Sequence, residues 1–395
     1  MHSLPGYVIE EILHRGHRTT VYRGRRAVDG AVVVIKTSRS GTPRAEDRHR
    51  LQREFEVLNG LDSRRVVLTH ELVANSYVCA IILECLGGSL RDAVGGNQIP
   101  AEVFLRVALE VAKGLAEVHA QGVIHKNITP DNLLVDSLEG RCVLAGFSRA
   151  AQATEDSDAA LRPDVTDGTL AYTSPEQTGR MNRSVDYRSD FYSLGVTFYE
   201  LLTGEVPFRA TDPMELVYCH IAKVPVPVAG CVPNIPSAVS NIVAKLMAKT
   251  AENRYQSARG LIADLERCQL ALAEDGVIAD FCLGTEDVVE RFKISERLYG
   301  REDAQRTILQ AFERTRVGAC ELVLVTGPSG VGKSAVIQEL NKPVAQMRGN
   351  IIRGKSDRFN SDTPFASLLQ ALAGFAQLLL TEGEGSLRTW KQRIL

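Results

Sequence analysis

The apolar run Glu321-Leu322-Val323-Leu324-Val325-Thr326 leads directly into a glycine-rich octapeptide, and a helical pattern follows as far as Leu340. The octapeptide consists of Gly327, Pro328, Ser329, Gly330, Val331, Gly332, Lys333 and Ser334. A strand, a loop of the form G-x-x-x-x-G-K-S and a helix, in this order, predict a phosphate-binding loop (P-loop). The glycines let backbone N–H groups approach phosphate oxygens, and the helix N-terminus adds the positive end of its dipole.

The predicted ligand of this loop is ATP with Mg²⁺. We expect Lys333 to reach the β- and γ-phosphates and the Ser334 hydroxyl to ligate magnesium. A glycine-rich turn that matches by chance is the alternative, but the order of the flanking elements argues against it. Hydrolysis also needs an acidic residue that ends a second strand, and the nearest candidate, residues 378–382, has a helical pattern. We therefore expect ATP binding by a P-loop NTPase domain, residues 295–395, that is truncated at its C-terminus.

Composition indicates an ordinary globular protein of about two domains. The chain has 395 residues, of which 44% are hydrophobic and 24% charged, typical of soluble folds. The net charge of −2 gives no general basic field for nucleic acid, so no nucleic-acid partner is expected. No apolar run approaches the ~20 residues of a membrane span, and the N-terminus lacks a signal pattern. The eight cysteines form no C-x-x-C motif. These features predict a cytoplasmic protein with reduced thiols.

The first part of the chain has mixed secondary structure. The β-branched run Val32–Ile35 predicts a buried strand. Apolar spacing predicts helices over residues 50–61, 102–120, 187–202, 242–249 and 258–272. The helix predicted over residues 187–202 is followed by Gly204, a typical C-terminal signal. An acidic, aperiodic stretch then predicts a linker over residues 271–294. The expected domain is residues 1–270, with a small lobe over about 1–84 and a large lobe over about 89–270.

Several motifs of this first part resemble those of protein kinases. The stretch Val123-Ile124-His125-Lys126-Asn127-Ile128-Thr129-Pro130-Asp131-Asn132 resembles the catalytic loop H-R-D-x-x-x-x-N. By the same resemblance, Lys36 matches the phosphate-contacting lysine, Glu54 matches its helix partner, and Glu84 with Leu86 matches the hinge. The resemblance implies an α+β bilobal protein-kinase-like fold, followed by the first part of an α/β P-loop NTPase domain.

The departures from the kinase pattern affect the residues of the chemistry. Asn127 stands where the aspartate accepts a proton, and an amide cannot do so. At the D-F-G position, the alternatives are Gly146-Phe147-Ser148 and Leu144-Ala145-Gly146, and neither supplies the metal-binding aspartate. Two places after the proton acceptor, where the kinase pattern has a lysine, this chain has Thr129. The three glycine positions of the glycine-rich loop carry His14, Gly16 and Thr19.

Other positions match residues that support the fold. By resemblance, His125, Phe147 and Leu58 belong to an internal hydrophobic spine, and Glu176 and Arg254 form a buried ion pair. Lys36 and Glu54 are able to form an ion pair without nucleotide. We therefore expect the cleft formed by Lys36, Glu54, Glu84, Leu86 and Asn132 to bind ATP weakly or not at all.

The whole chain resembles the N-terminal part of large hybrid sensor proteins. Residues 168–187 and 292–302 carry the resemblance, which implies a Ser/Thr-kinase-like domain followed by an AAA-type ATPase domain and, in longer members, sensory and histidine-kinase domains. The favoured hypothesis is a pseudokinase scaffold or regulator that binds a protein partner or downstream domains and is coupled to an ATP-binding P-loop. The alternatives are an active Ser/Thr kinase with a non-standard site and a non-functional fragment.

Overall fold

The computed structural model divides the chain into two units. The first contains residues 1–179 and 183–296, and the second contains residues 180–182 and 297–395. The residues that the structure describes are 4–16, 18–39, 43–75, 77–136, 140–152, 169–181, 183–288, 300–328, 330–347, 349, 351–354, 365–379, 390 and 392.

A five-stranded antiparallel sheet forms most of the small lobe. Its strands are β1 (Tyr7–Arg15), β2 (Thr19–Arg26), β3 (Val32–Ser38), β4 (Thr69–Ala74) and β5 (Cys79–Glu84), in the order β1-β2-β3-β5-β4. The strand predicted at Val32–Ile35 is confirmed as part of β3. Side chains alternate along a strand, so Val33 and Ile35 pack with Ile82 on one face of the sheet. Lys36 therefore projects from the opposite face.

Helix α1 (Ala45–Gly60) packs against β3, β4 and β5. It begins earlier than the predicted residue 50. Its buried residues are Leu51, Glu54 and Leu58, which the three- and four-residue spacing places on one side of the helix. This pattern puts a carboxylate on the buried face, where a charged group needs a partner.

The large lobe is mainly helical. Its helices are α2 (Leu90–Val94), α3 (Ala101–Ala120), α4 (Arg188–Thr203), α5 (Pro213–Ala222), α6 (Val228–Cys231), α7 (Ser237–Leu246) and α8 (Ala258–Asp275). Nearly every residue of α4 is buried, and the helix ends at Gly204 as predicted. The helix predicted over 242–249 was misplaced: it starts directly after Pro236 and ends at Leu246.

Short strands hold the two loops of the candidate site. They are β6 (Gly88–Ser89), β7 (Val123–Ile124), β8 (Leu133–Val135), β9 (Cys142–Leu144) and β10 (Ala151–Gln152). β8 and β9 form a hairpin, and β7 pairs with β10. Residues 125–132 therefore connect β7 to β8, while Gly146 follows β9 closely.

The first part of the expected linker is packed against the large lobe. Helix α8 runs to Asp275, and Ile278 is buried beyond it. The carboxylate of Asp287 accepts hydrogen bonds from the backbone N–H groups of Gln256 and Ser257, both at 2.8 Å, and from the Ser257 hydroxyl at 2.9 Å. Residues 276–288 thus belong to the first unit and contact the rest of the large lobe through specific polar groups, which a flexible linker would lack.

The second unit contains helices around the glycine-rich loop. They are α9 (Glu302–Arg316), α10 (Lys333–Gln338), α11 (Asn341–Gln346) and α12 (Ala366–Leu379). The strand predicted for residues 321–326 is wrong for the described structure, where these residues make no strand ladder and Leu322 is 96% exposed. A strand requires a neighbour to satisfy its backbone groups, and an apolar run predicts the strand without supplying that neighbour.

Within the part of the chain that the structure describes, every helix is too short or too polar to span a bilayer.

Candidate functional site

Lys36 and Glu54 form the central ion pair of the kinase-like cleft. The ammonium Nζ of Lys36 lies 2.6 Å from Oε1 of Glu54, with side-chain exposures of 13% and 2%. β3 supplies the lysine and the buried face of α1 supplies the carboxylate, so the pair joins sheet and helix. The ion pair that the sequence predicted is present. The second oxygen of Glu54, Oε2, is buried and has no hydrogen-bond partner in the described structure.

His125 fixes the start of the loop that follows β7. Its backbone N–H and that of Lys126 donate to the carboxylate of Asp190 at 2.9 and 2.7 Å. Burial lowers the pKa of His125, which favours the neutral ring. Neutral His125 donates from Nε2 to the carbonyl of Ala145 at 2.9 Å, and Nδ1 accepts the backbone N–H of Asn127 at 3.2 Å.

Phe147 decides between the two alternatives for the D-F-G position. Its ring is buried and lies edge-on to His125, with centroids 4.3 Å apart. Leu58 belongs to the same buried cluster, and α1 packs against the short 3-10 turn Phe147–Arg149. These contacts match the predicted spine and favour Gly146-Phe147-Ser148. Gly146 therefore stands where the metal-binding carboxylate would be.

The carboxamide of Asn132 fills the space beside Gly146. A Cβ atom on Gly146 would lie 2.2 Å from Oδ1 of Asn132, closer than any real contact. The Nδ2 group of Asn132 donates to the backbone carbonyl of Asn127 at 2.9 Å. Gly146 also has φ of 78°, a conformation that most side chains disfavour. Glycine at this position thus accommodates both the backbone turn and the Asn132 side chain.

These residues do not fit a magnesium ion. Mg²⁺ is held in proteins by oxygen ligands, usually carboxylates, but Gly146 has no side chain and Oδ1 of Asn132 is packed against the Gly146 backbone. Asn127 is an amide as well. Among the described residues, no cluster of His, Cys, Asp or Glu is arranged to hold a metal ion.

The predicted hinge residues have structural partners. Oε1 of Glu84 accepts the backbone N–H of Leu68 at 2.8 Å, and Oε2 accepts a hydrogen bond from Arg141 at 3.2 Å. Leu86 packs against the main core. The role of both residues in nucleotide binding stays a prediction, as does that of Lys36, Glu54 and Asn132.

In the second unit, the lysine of the P-loop is hydrogen-bonded to the backbone of the loop itself. The ammonium of Lys333 donates to the carbonyls of Gly327 and Pro328 at 2.9 and 2.7 Å. Arg301 also donates to the carbonyl of Val331 at 3.1 Å. Gly332, with φ of 92°, directly precedes α10. Ser334 is exposed on the first helical turn, where its hydroxyl is a suitable oxygen ligand for magnesium. Ser329 lies outside the described residues.

Residues 7–264 match the family model described as "Protein kinase domain", and this match covers more than half of the chain. The chain belongs to the protein kinase domain family. Residues 297–395 match the AAA ATPase domain model. A kinase domain is therefore followed by an AAA ATPase domain, which is the order that the resemblance to hybrid sensor proteins predicted.

Three relatives illustrate these similarities. Hybrid signal transduction histidine kinase G of Dictyostelium discoideum is 31% identical over 384 residues, covering 75% of this chain and 11% of that protein. A probable serine/threonine-protein kinase of Clostridium perfringens is 30% identical over 66% of this chain and 38% of its own length. Serine/threonine-protein kinase PknB of Mycobacterium tuberculosis is 30% identical over 67% of this chain and 43% of its own length. The chain thus spans less than half the length of each relative.

Sequence reasoning missed one polar network beside the catalytic loop of the kinase domain. Nε of Arg91 donates to both carboxylate oxygens of Asp131 at 2.9 Å. Other nitrogens of Arg91 bind Glu200 at 2.7 Å and the Tyr172 hydroxyl at 2.6 Å. The partners come from three distant parts of the chain, so no local pattern indicates them. The network holds the Asp131 carboxylate at Arg91.

Proposed function

We propose that this kinase domain does not transfer phosphate and acts as a scaffold or regulator, coupled to an ATP-binding P-loop domain. The observation that carries the proposal is Gly146 at the metal position, with the Asn132 carboxamide in the space of the missing side chain. Asn127 in place of the proton acceptor is a second, independent loss. In this mechanism, the domain contributes a folded surface to which other proteins or domains bind.

The magnitudes of these losses support inactivity. A positioned base contributes about 10²–10⁴-fold to rate, and the electrostatic stabilisation by a metal contributes several kcal/mol, or roughly another 10²-fold. The two effects need not be additive. Starting from about 1–100 turnovers per second for kinases, their joint loss brings the rate near or below the detection limit.

The retained contacts support a structural role. The Lys36–Glu54 pair holds α1 against the sheet of the small lobe, and Asp190 holds the backbone of residues 125 and 126 in the large lobe. A fold kept without its chemistry is suited to binding a protein partner or downstream domains in the cytoplasm. The relative named as a hybrid signal transduction histidine kinase supports a signalling context.

The P-loop domain supplies the nucleotide dependence in this proposal. Bound ATP gains the Lys333 ammonium and the N–H groups of the loop, and Ser334 contributes a hydroxyl to the magnesium that accompanies the nucleotide. ATP then changes the balance between assembled and free states, provided that it binds those states with different affinity.

A phosphotransfer assay tests the inactivity. The full chain is incubated with radiolabelled ATP, Mg²⁺ or Mn²⁺ and a generic protein substrate, in parallel with the variants Lys36→Ala and Lys333→Ala. We expect no protein labelling in any sample. Labelling that Lys36→Ala abolishes and Lys333→Ala preserves would contradict the proposal, because it would assign transfer to the kinase domain.

An active Ser/Thr kinase with a non-standard site is the second candidate. Relatives named as serine/threonine-protein kinases favour it, as does the intact Lys36–Glu54 pair. Such a site needs a carboxylate at the phosphates. Of the nearby acids, Asp131 is bound to Arg91, Asp136 is exposed on the surface, and Glu139 lies outside the described residues. Activity lost in Asp131→Asn would identify the substitute acid and favour this candidate.

A further inference from the structure

The catalytic end of the kinase cleft has lost its negative charge as well as its chemistry. Gly146 and Asn127 are neutral at two positions where the kinase pattern has aspartate. Asn132 directs Nδ2 to the carbonyl of Asn127 and Oδ1 into the space beside Gly146, so its amide is used by the protein itself. The nearest acid along the loop, Asp131, is bound to Arg91.

The Lys36 ammonium remains able to bind an anion. Within the described part of the chain it makes one hydrogen bond, to Glu54, whereas an ammonium has three N–H donors. Lys36 is also the more exposed member of the ion pair, because Glu54 is 2% exposed on the buried face of α1. Two donors of Lys36 are therefore available for the oxygens of a phosphate group.

We propose that the kinase cleft binds a nucleoside triphosphate without a divalent cation. In a cleft with two aspartates, the carboxylates repel uncomplexed phosphate, and a bridging cation converts that repulsion into attraction. Replacement of both by neutral groups removes the repulsion, and it also removes the ligand to which a nucleotide-bound cation would bridge. This inference rests on the proposed loss of the magnesium site.

Thermodynamic linkage tells whether Mg²⁺ strengthens or weakens the binding of ATP to the kinase cleft. Mg²⁺ strengthens ATP binding only if the protein–ATP complex holds the cation more tightly than free ATP does. Without a protein ligand at Gly146, no such gain exists, and Mg²⁺ competes with Lys36 for the same phosphate oxygens. ATP should therefore bind this cleft at least as well in EDTA as in MgCl₂.

The experiment uses the full chain with Lys333→Ala, which weakens the P-loop site. ATP is titrated calorimetrically in EDTA and in MgCl₂. We expect saturable binding in EDTA and a dissociation constant in MgCl₂ that is equal or higher. Adding Lys36→Ala should weaken binding in EDTA by about tenfold or more, the scale of one charged hydrogen bond. Thermal melting of each variant checks that the kinase domain is folded.

Two variants that restore charge sharpen the test. Asn127→Asp changes no volume, and its new charge should weaken binding in EDTA by about threefold or more, since like charges repel. Gly146→Asp requires the end of the Asn132 side chain to move, but aspartate tolerates positive φ better than most residues. In this variant Mg²⁺ should tighten binding.

The outcomes separate the inference from the proposed function. Absence of saturable binding in EDTA, or a dissociation constant that is measurably lower in MgCl₂ than in EDTA for the Lys333→Ala chain, would overturn the inference. If the inference is overturned in this way but no phosphate is transferred in the same samples, the proposed inactivity of the kinase domain still holds. Transfer that accompanies Mg²⁺-dependent binding would overturn both.

Discussion

The guanidinium of Arg254 binds the carboxylate of Glu176 through two parallel hydrogen bonds in the core of the large lobe. The distances are 2.6 Å from Nη1 to Oε1 and 2.9 Å from Nη2 to Oε2, and both side chains are buried. The predicted ion pair is thus confirmed. Burial alone would raise the pKa of Glu176, but Arg254 and a hydrogen bond from Ser189 hold the pKa below its usual value. The carboxylate is therefore charged at neutral pH and depends on its partner.

Arg254→Ala should destabilise the kinase domain strongly. The substitution leaves a buried carboxylate without its cation, at a cost of about 3–5 kcal/mol, which corresponds to a melting temperature at least about 6 °C lower. Arg259→Ala, on the exposed side of α8, is the matched control and should change stability by no more than about 0.5 kcal/mol. Equal melting temperatures for Arg254→Ala and wild type would show that the ion pair contributes nothing to stability.

Because of Lys249, the free energy of unfolding of the kinase domain should increase as the pH rises from neutral into the alkaline range. Burial, with Arg254 nearby, lowers the pKa of Lys249 to about 7 in the folded state, against about 10.4 in an unfolded chain. The unfolded state therefore binds more protons between these values, so the free energy of unfolding rises with pH there, by at most about 1.4 kcal/mol per unit. Below pH 7 both states are protonated and the destabilisation is complete.

Denaturant unfolding of wild type and Lys249→Met at several pH values measures this effect. The wild-type free energy of unfolding should gain about 2 kcal/mol relative to the variant between pH 7 and pH 9. Titrating groups distant from Lys249 are common to both proteins and cancel in the difference, and His220, whose pKa is lowered by burial and by Lys249, is neutral across this pH range. Parallel pH profiles would mean that Lys249 keeps an ordinary pKa in the folded state.

Asp287 should be part of the stable kinase domain, although it lies well beyond the domain end expected at residue 270. Its carboxylate accepts three hydrogen bonds from residues 256 and 257, so Asp287→Ala should cost about 1–3 kcal/mol. Gly260→Ala should also destabilise, because a Cβ there would lie 2.5 Å from Cβ of Asp287. Glu274→Ala, an exposed acid on α8, is the control. Identical unfolding curves for wild type and the three variants would mean that Asp287 belongs to the linker and not to the stable domain.

The sequence predicted features that depend on local pattern or on family resemblance. Strand β3 followed from its β-branched run, and the end of α4 followed from Gly204. The contact between Asn132 and Gly146 was not predictable, because a missing side chain gives no pattern and two alternatives for the D-F-G position were open. The contacts of Asp287 join residues that are distant in sequence. The strand expected at residues 321–326 failed because strand formation depends on a neighbour as well as on apolar residues.

Lys333 should determine ATP binding by the chain in the presence of Mg²⁺. Its ammonium donates hydrogen bonds to the carbonyls of Gly327 and Pro328. When ATP binds, Lys333 exchanges these two neutral acceptors for charged phosphate oxygens, which bind an ammonium more strongly. Lys333→Ala should therefore weaken binding by at least about 1.5–3 kcal/mol. Lys36→Ala should weaken it much less, because the kinase cleft offers no ligand for the magnesium of Mg·ATP.

Calorimetric titration of ATP in MgCl₂ into wild type and both variants distinguishes the two sites. Arg306→Ala removes an exposed cation of α9 and controls for a general loss of positive charge, which would weaken ATP binding only slightly because salt screens exposed charges. Thermal melting of the variants separates lost affinity from an unfolded second unit. If Lys36→Ala abolishes binding and Lys333→Ala preserves it, ATP occupies the kinase cleft and the assignment of the nucleotide to the P-loop is wrong.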